Sequence, residues 1–301
     1  MKFIFGIVTL IIGLYVNAET MESSSMLIKD TAVNVQKDTA IIKKGGLLEL
    51  TLSQMSLSNW AAGGLNTISY NGYLNYVISV SKNKRSWENS LNLGFGMVRQ
   101  GGVSGLWIKS DDKIDFVSKF GTKFGEKTAG AALFKFRSQF APGFEDIERT
   151  NLISDILAPA YLVGALGVDA IPNKAWTFFL APATFKGTIV MNDSLSSSGA
   201  YGVEEGEKFR SELGGYARVE FKKEVMKNIQ YIGRLDLFSN YFVNPQDLDV
   251  NWENLISMQV NKYVNVTLRT HLIFDKDIQI EGATSQVQFK QVFAAGLAYK
   301  L

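Results

Sequence analysis

The stretch from Val287 to Leu301 constrains the fold more than any other. Every second residue gives Val287, Phe289, Gln291, Phe293, Ala295, Leu297, Tyr299 and Leu301. The residues between are Gln288, Lys290, Val292, Ala294, Gly296, Ala298 and Lys300. One face is apolar and tipped with aromatics, and the other is small or charged. A period of two is the signature of a β-strand with two different surroundings. At about fifteen residues it is far longer than the usual five or six. The expectation is that this strand closes a transmembrane barrel.

The same period recurs upstream. Leu47–Ser58 comes first, then Asn66–Val80, in which Ile68, Tyr70, Leu74, Tyr76 and Ile78 oppose Ser69, Asn71, Asn75 and Ser79. Trp87–Val98 sets Leu91, Leu93 and Phe95 against Asn92, Gly94 and Gly96, and Asp112–Phe124 sets Ile114, Phe116 and Phe120 against Asp115 and Lys119. Thr128–Phe140 sets Phe134 and Phe136 against Lys135, Arg137 and Gln139. Pro159–Asp169 and Trp176–Val190 are apolar on both faces, so their alternation does not fix which face is which. Phe209–Phe221, Ile229–Tyr241, Val250–Val260 and Val264–Phe274 alternate cleanly again. The total is an all-β chain of about twelve antiparallel strands, even in number as bacterial outer-membrane barrels require.

The connections are sorted. Short turns at 81–86, 125–127, 171–175, 222–228 and 261–263 alternate with long ones at 99–111, 141–158, 191–208, 242–249 and 275–285. Bacterial barrels have short periplasmic turns and long outer loops, and a soluble sandwich has no reason to sort its loops by end. The expected organisation is therefore a signal peptide over 1–18, a periplasmic tail over 19–44 and a barrel over 45–301.

The leader rests on Lys2, the apolar run Phe3–Val16 and the small-residue cleavage site Val16-Asn17-Ala18. Its apolar core of about fourteen residues is short for a spanning helix of ~20, and cleavage is expected at Ala18. The sequence holds no cysteine, which excludes disulfide scaffolding and thiol catalysis. Removing Lys2 from the 31 basic residues leaves 30 against 29 acidic ones, a near-neutral balance with nothing to recruit nucleic acid.

Two resemblances are carried by particular residues. Gly296 followed by Tyr299 and Leu301 is similar to the C-terminal signal of outer-membrane barrels, which implies recognition by the barrel-assembly machinery. The blocks Leu57-Ser58-Asn59-Trp60-Ala61-Ala62-Gly63-Gly64, Gln139-Phe140-Ala141-Pro142-Gly143 and Asp249-Val250-Asn251-Trp252 resemble a Bacteroidota outer-membrane family, domain of unknown function 3078. So do Ser110 to Ile114, Ala158 to Leu162 and Leu235 to Tyr241. That resemblance implies a Gram-negative outer-membrane barrel, with outer-membrane lipid and lipopolysaccharide as surroundings, and carries no catalytic residues. The implied phylum also suggests Asp-Ser/Thr-apolar modification triplets, met by Asp30-Thr31-Ala32, Asp38-Thr39-Ala40 and Asp193-Ser194-Leu195.

The inward face on this register holds charge of both signs: Arg210, Glu212, Arg218, Glu220, Arg234, Asp236, Glu253, Arg269 and His271. Such a lumen binds or passes a small polar solute, or it is an internal ion-pair lattice that keeps a filled barrel rigid; eight strands leave a filled interior and sixteen a channel. A closed barrel that docks a partner through its tail or outer loops is a further reading. An outer-membrane lipid hydrolase is the weakest, because position 273, two after His271, is Ile rather than the Ser that an outer-membrane phospholipase places there. One histidine and no cysteine form no transition-metal set, so no metal, cofactor or enzymatic activity is expected. Trp60, Gly63 and Gly64 follow the first strand on the outer side, where they form a lumen constriction or a hairpin turn. Ile147, Leu152, Ile153, Ile156 and Leu157 follow a roughly helical spacing, which predicts a short covering helix within 144–157.

Overall fold

A computed structural model describes residues 39–56, 65–101, 105–276 and 287–301. The expected leader with Ala18, the tail as far as Asp38, and the loop residues Trp60, Gly63 and Gly64 lie outside the described residues, as do the first two modification triplets except for Thr39 and Ala40.

Among the described residues, twelve long strands close into one antiparallel barrel. In chain order these begin with β1 (Ile41–Met55), β2 (Thr67–Lys82), β3 (Arg85–Gln100), β4 (Trp107–Lys123) and β5 (Thr128–Ser138). A small hairpin, β6 (Gly143–Phe144) and β7 (Leu152–Ser154), follows outside the wall. The wall continues with β8 (Ala160–Ala170), β9 (Trp176–Ile189), β10 (Phe209–Met226), β11 (Ile229–Asn240), β12 (Leu248–Gln259), β13 (Val264–Phe274) and β14 (Val287–Lys300). Each pairs with its sequence neighbour in the wall, and β1 pairs with β14 to close the ring. The first strand starts earlier than expected: Ile41 to Lys44, read from sequence as tail, already pair with β2.

Burial is inverted relative to a soluble protein. Asp115 is wholly buried and Arg218, Glu212, Asp236 and Lys135 nearly so, whereas Leu52 is 72% and Phe293 68% exposed. An apolar outer face around a polar interior suits hydrocarbon outside and hydrogen-bonding partners inside. Eleven of the twelve ladders pair ten or more residues each, as the membrane's demand for backbone pairing within the protein requires, while among the described residues the closing β1–β14 ladder pairs four, Leu47↔Lys300 to Leu50↔Leu297.

The two strands whose faces could not be told apart owe their ambiguity to one bulge and one internal cluster. Ala181 pairs with Tyr216 and Thr184 with Gly214, so Pro182 and Ala183 together oppose the single residue Gly215. Proline lacks the N–H that a regular ladder needs and is tolerated at a bulge. The extra residue exchanges inside for outside: Phe179 and Ala181 face the lumen below the bulge, Thr184 and Lys186 above it. Phe179 and Ala181 join Val117, Leu133, Tyr216 and Phe238 in an apolar cluster inside the barrel.

At the outer rim the expected helix within 144–157 is absent. The segment is the β6–β7 hairpin, whose turn is held by the Asp146 carboxylate accepting from the Thr150 and Asn151 amides at 2.8 and 2.7 Å. Helix α1 (Asp193–Ser197) instead lies in the loop between β9 and β10, capped by the Asn192 side chain at the Ser194 and Leu195 amides. That places the Asp193-Ser194-Leu195 triplet in its first turn, with Leu195 buried. The two loops pack on each other through Ala158, Val190, Leu195 and Val203 with Leu152 and Tyr201. The Tyr201 hydroxyl donates to the Ile153 carbonyl, and burial pushes its pKa up to about 12.

Candidate functional site

Among the described residues, chemistry-bearing side chains concentrate in the interior, and the strand register decides who meets whom. Arg218 and Asp236 are opposite each other on β10 and β11. The guanidinium donates twice to the carboxylate, at 2.7 and 3.0 Å, a bidentate geometry that a lysine could not reproduce. Lys135 reaches the same carboxylate from β5 at 2.7 Å, with β8, β9 and β10 standing between the two strands in the wall. Arg234 donates to Glu220 at 3.2 Å, and Glu220 stands 3.7 Å from Arg218.

The second group spans the full width. β4 and β12 occupy opposite positions in the twelve-strand ring, yet Lys113 Nζ on β4 lies 2.9 Å from Glu253 Oε2 on β12. Arg137 on β5 bonds Glu253 as well, together with Asp115 at 3.0 Å and Asn251 at 3.0 Å. His271 Nε2 is 2.6 Å from Asn251 Oδ1 and 3.7 Å from Glu253. Charged side chains that cross a lumen and bond on the far side obstruct it at that height.

A third group sits toward the outer rim. Lys186 on β9 meets Asp249 at 2.5 Å, Glu212 at 3.3 Å and Asp275 at 3.4 Å. Arg210 bonds Glu212 at 3.0 Å and the Gly202 carbonyl at 3.2 Å, which ties the loop after α1 to β10. On the opposite wall Arg269 bonds Glu49 and lies over the Tyr73 ring at 4.2 Å.

Residues 52–144 match the model of a family described as a protein of unknown function (DUF3078). No curated protein matches the chain. Similar solved structures include an outer membrane channel from Pseudomonas putida F1, at 13% identity and TM-score 0.38 over 85% of this chain and 93% of that one. The translocator domain of the autotransporter NalP from Neisseria meningitidis is similar at 10% identity and TM-score 0.30, over 86% and 87%. So is the β domain of the Bordetella autotransporter BrkA, at 11% and 0.30, over 85% and 98%.

All nine charged or histidine positions singled out from the sequence lie on the inner face, and the fold joins them with eight that were not singled out: Glu49, Lys113, Asp115, Lys135, Arg137, Lys186, Asp249 and Asp275. Their strand parity was readable, but their partners were not, because those partners are fixed by the ring and not by the chain. The acidic pair Asp111-Asp112 is engaged within the protein: Asp111 with Lys290 at 2.5 Å, and Asp112 with Lys109 and the Phe140 and Ala141 amides. Among the described residues no cluster of His, Cys, Asp and Glu has the arrangement of a metal site.

Proposed function

We propose that the protein works in the Gram-negative outer membrane as a rigid barrel closed along its axis. What supports this is the bond from Lys113 to Glu253 across the full width of the ring, reinforced by Arg137 and flanked by the apolar cluster around Phe179. The lattice holds the wall in shape, and work is left to surfaces: the hairpin and α1 at the outer rim, the tail on the periplasmic side, and the lipid-facing wall. Its surroundings are outer-membrane lipid and lipopolysaccharide, and its insertion depends on the barrel-assembly machinery reading β14. No enzymatic step is assigned to it, since His271 is engaged with Asn251 and Glu253.

Passage of a small polar solute is the second reading, and partial exposure favours it: the Lys113, Glu253 and His271 side chains keep 25, 20 and 25% of their surface open. Single-channel recording of the folded full chain in a planar bilayer separates the two. A silent bilayer carrying heat-modifiable barrel supports axial closure, and discrete repeatable openings would replace it with a narrow solute channel.

A further inference from the structure

A polar row interrupts the apolar outer face of β12, β13 and β14. Asn254 pairs with Thr270 across the first two strands, and Thr270 with Gln291 across the last two. All three point outward, since Glu253, Arg269, His271 and Lys290 beside them point into the lumen. Along each strand the row has apolar outward neighbours on both sides: Trp252 and Ile256, Leu268 and Leu272, Phe289 and Phe293. The opposite stretch of the ring, β5 and β8, instead presents Ala132, Phe134, Phe136, Leu162, Gly164 and Leu166 outward.

The row is wired in one direction. The Tyr231 hydroxyl on β11 donates to Asn254 Oδ1 at 2.7 Å, and Asn254 Nδ2 donates to Thr270 Oγ1 at 3.1 Å. The Thr270 hydroxyl then has its own proton to give, and among the described residues nothing accepts it. Gln291, next in the row, is exposed and makes no side-chain bond among the described residues. Hydrocarbon supplies neither donor nor acceptor, so a carboxamide directed at it is unfavourable unless protein covers it. Polar side chains in such places join one membrane segment to another.

We propose that the β12–β14 face is a contact between two copies of this chain, with Gln291 of each bonding Gln291 of the other. A carboxamide holds both a donor and an acceptor. Copies related by a two-fold axis along the membrane normal therefore make two reciprocal bonds, the self-complementary arrangement commonest among oligomers. Each copy carries its row at the same depth in the bilayer, so the two rows meet without adjustment. A lipid chain brings no donor or acceptor to that place. The outward side chains of β12, β13 and β14 include no Asp, Glu, Lys or Arg, so like surfaces do not repel. Phe289 and Phe293, 61% and 68% exposed, supply the apolar contact around the bond. The dimer rests on the reading that this wall faces the bilayer, and it does not depend on whether the axis conducts.

Sedimentation equilibrium of the folded full chain in density-matched detergent micelles tests the contact. The unaltered chain is expected to form a dimer. Gln291→Leu is expected to weaken its association constant about tenfold, the scale of one or two hydrogen bonds between membrane segments. Asn89→Leu, which removes an outward carboxamide from β3, is expected to leave the constant unchanged. If Gln291→Leu loses its heat-modifiable band, Gln291→Ala replaces it. A chain that stays monomeric at every protein-to-detergent ratio would overturn the dimer, and so would a constant indifferent to Gln291→Leu. Either result, from a barrel that is folded and silent in a planar bilayer, leaves axial closure standing. A second measurement locates the contact in a bilayer. The sequence has no cysteine, so Phe289→Cys and Phe134→Cys place single thiols beside the row and on the opposite wall. Under mild oxidant in phosphatidylcholine vesicles, a disulfide-linked dimer is expected from the first alone. Linkage at Phe289→Cys no greater than at Phe134→Cys would also overturn the proposal.

Discussion

Lys113 and Glu253 bond at 2.9 Å although β4 and β12 stand on opposite sides of the ring. A bond of this reach ties two distant walls by their side chains alone, and it sits where any axial path must pass. Glu253→Gln removes the charge that holds both Lys113 and Arg137. The expected result is discrete openings in a planar bilayer where the unaltered protein is silent, with the heat-modifiable band retained. A silent, folded Glu253→Gln variant would show that the obstruction lies elsewhere.

The Arg218–Asp236 pair is deeper and better formed, so its loss falls on stability. Breaking a buried pair by removing one partner costs on the order of 3–5 kcal/mol, because a charge is left uncompensated. Asp236→Asn leaves both Arg218 and Lys135 short of their carboxylate. Glu220→Gln weakens the 3.2 Å bond from Arg234 and the 3.7 Å contact with Arg218 at a side chain 35% exposed, and is expected to cost about 1 kcal/mol or less. Denaturant unfolding followed by tryptophan fluorescence orders the two, and equal losses would refute the ranking.

The Asp146 turn is a pH-dependent element outside the wall. The Thr150 and Asn151 amides, with the Thr150 hydroxyl, hold the Asp146 carboxyl below its usual value. A depressed carboxylate contributes its stabilisation at pH above the ordinary value of about 4 and loses it as pH falls through the lower folded value. Hydrogen exchange at the Thr150 and Asn151 amides is expected to stay slow through pH 4 and to accelerate only below it. The same amides in Asp146→Asn are expected to lose most of that pH response.

Two glycines on the wall predict opposite outcomes. Nothing lies within 4 Å of a Cβ at Gly164, whereas one at Gly296 meets the backbone of Leu50. Gly164→Ala is expected to leave folding unchanged, while Gly296→Val pushes β14 off β1 at the edge of their four-pair ladder. Loss of the heat-modifiable band in the second and its retention in the first is the expected pattern.

Strand positions were legible because the bilayer imposes a strict period of two. Val264–Phe274 begins and ends where its alternation does, and the long and short connections separate as their lengths indicate. Cross-lumen contacts were not legible, since Lys113 and Glu253 lie 140 residues apart and nothing local marks them as partners. Inward apolar residues such as Phe179 and Phe238 also escaped, because alternation equates apolar with outward. The hairpin was misread as a helix for a related reason: of its apolar residues Leu152 packs into the rim cluster, while Ile147, Ile153 and Ile156 are about half exposed. Their spacing records no buried helical face.

The bulge at Pro182 has a bearing on how this wall tolerates change in length. Below it β9 shows its lumen residues at odd positions such as Phe179 and Ala181, above it at even ones such as Thr184 and Lys186. The strand is thus written in two phases with a single splice between them. Deleting one residue there would restore a regular ladder and, in the same stroke, turn one half of the strand inside out, sending Lys186 away from its three carboxylate partners toward hydrocarbon, or Phe179 out of the internal cluster. Elsewhere in the wall a substitution alters one side chain; at this splice a change of one residue in length re-addresses seven or so at once.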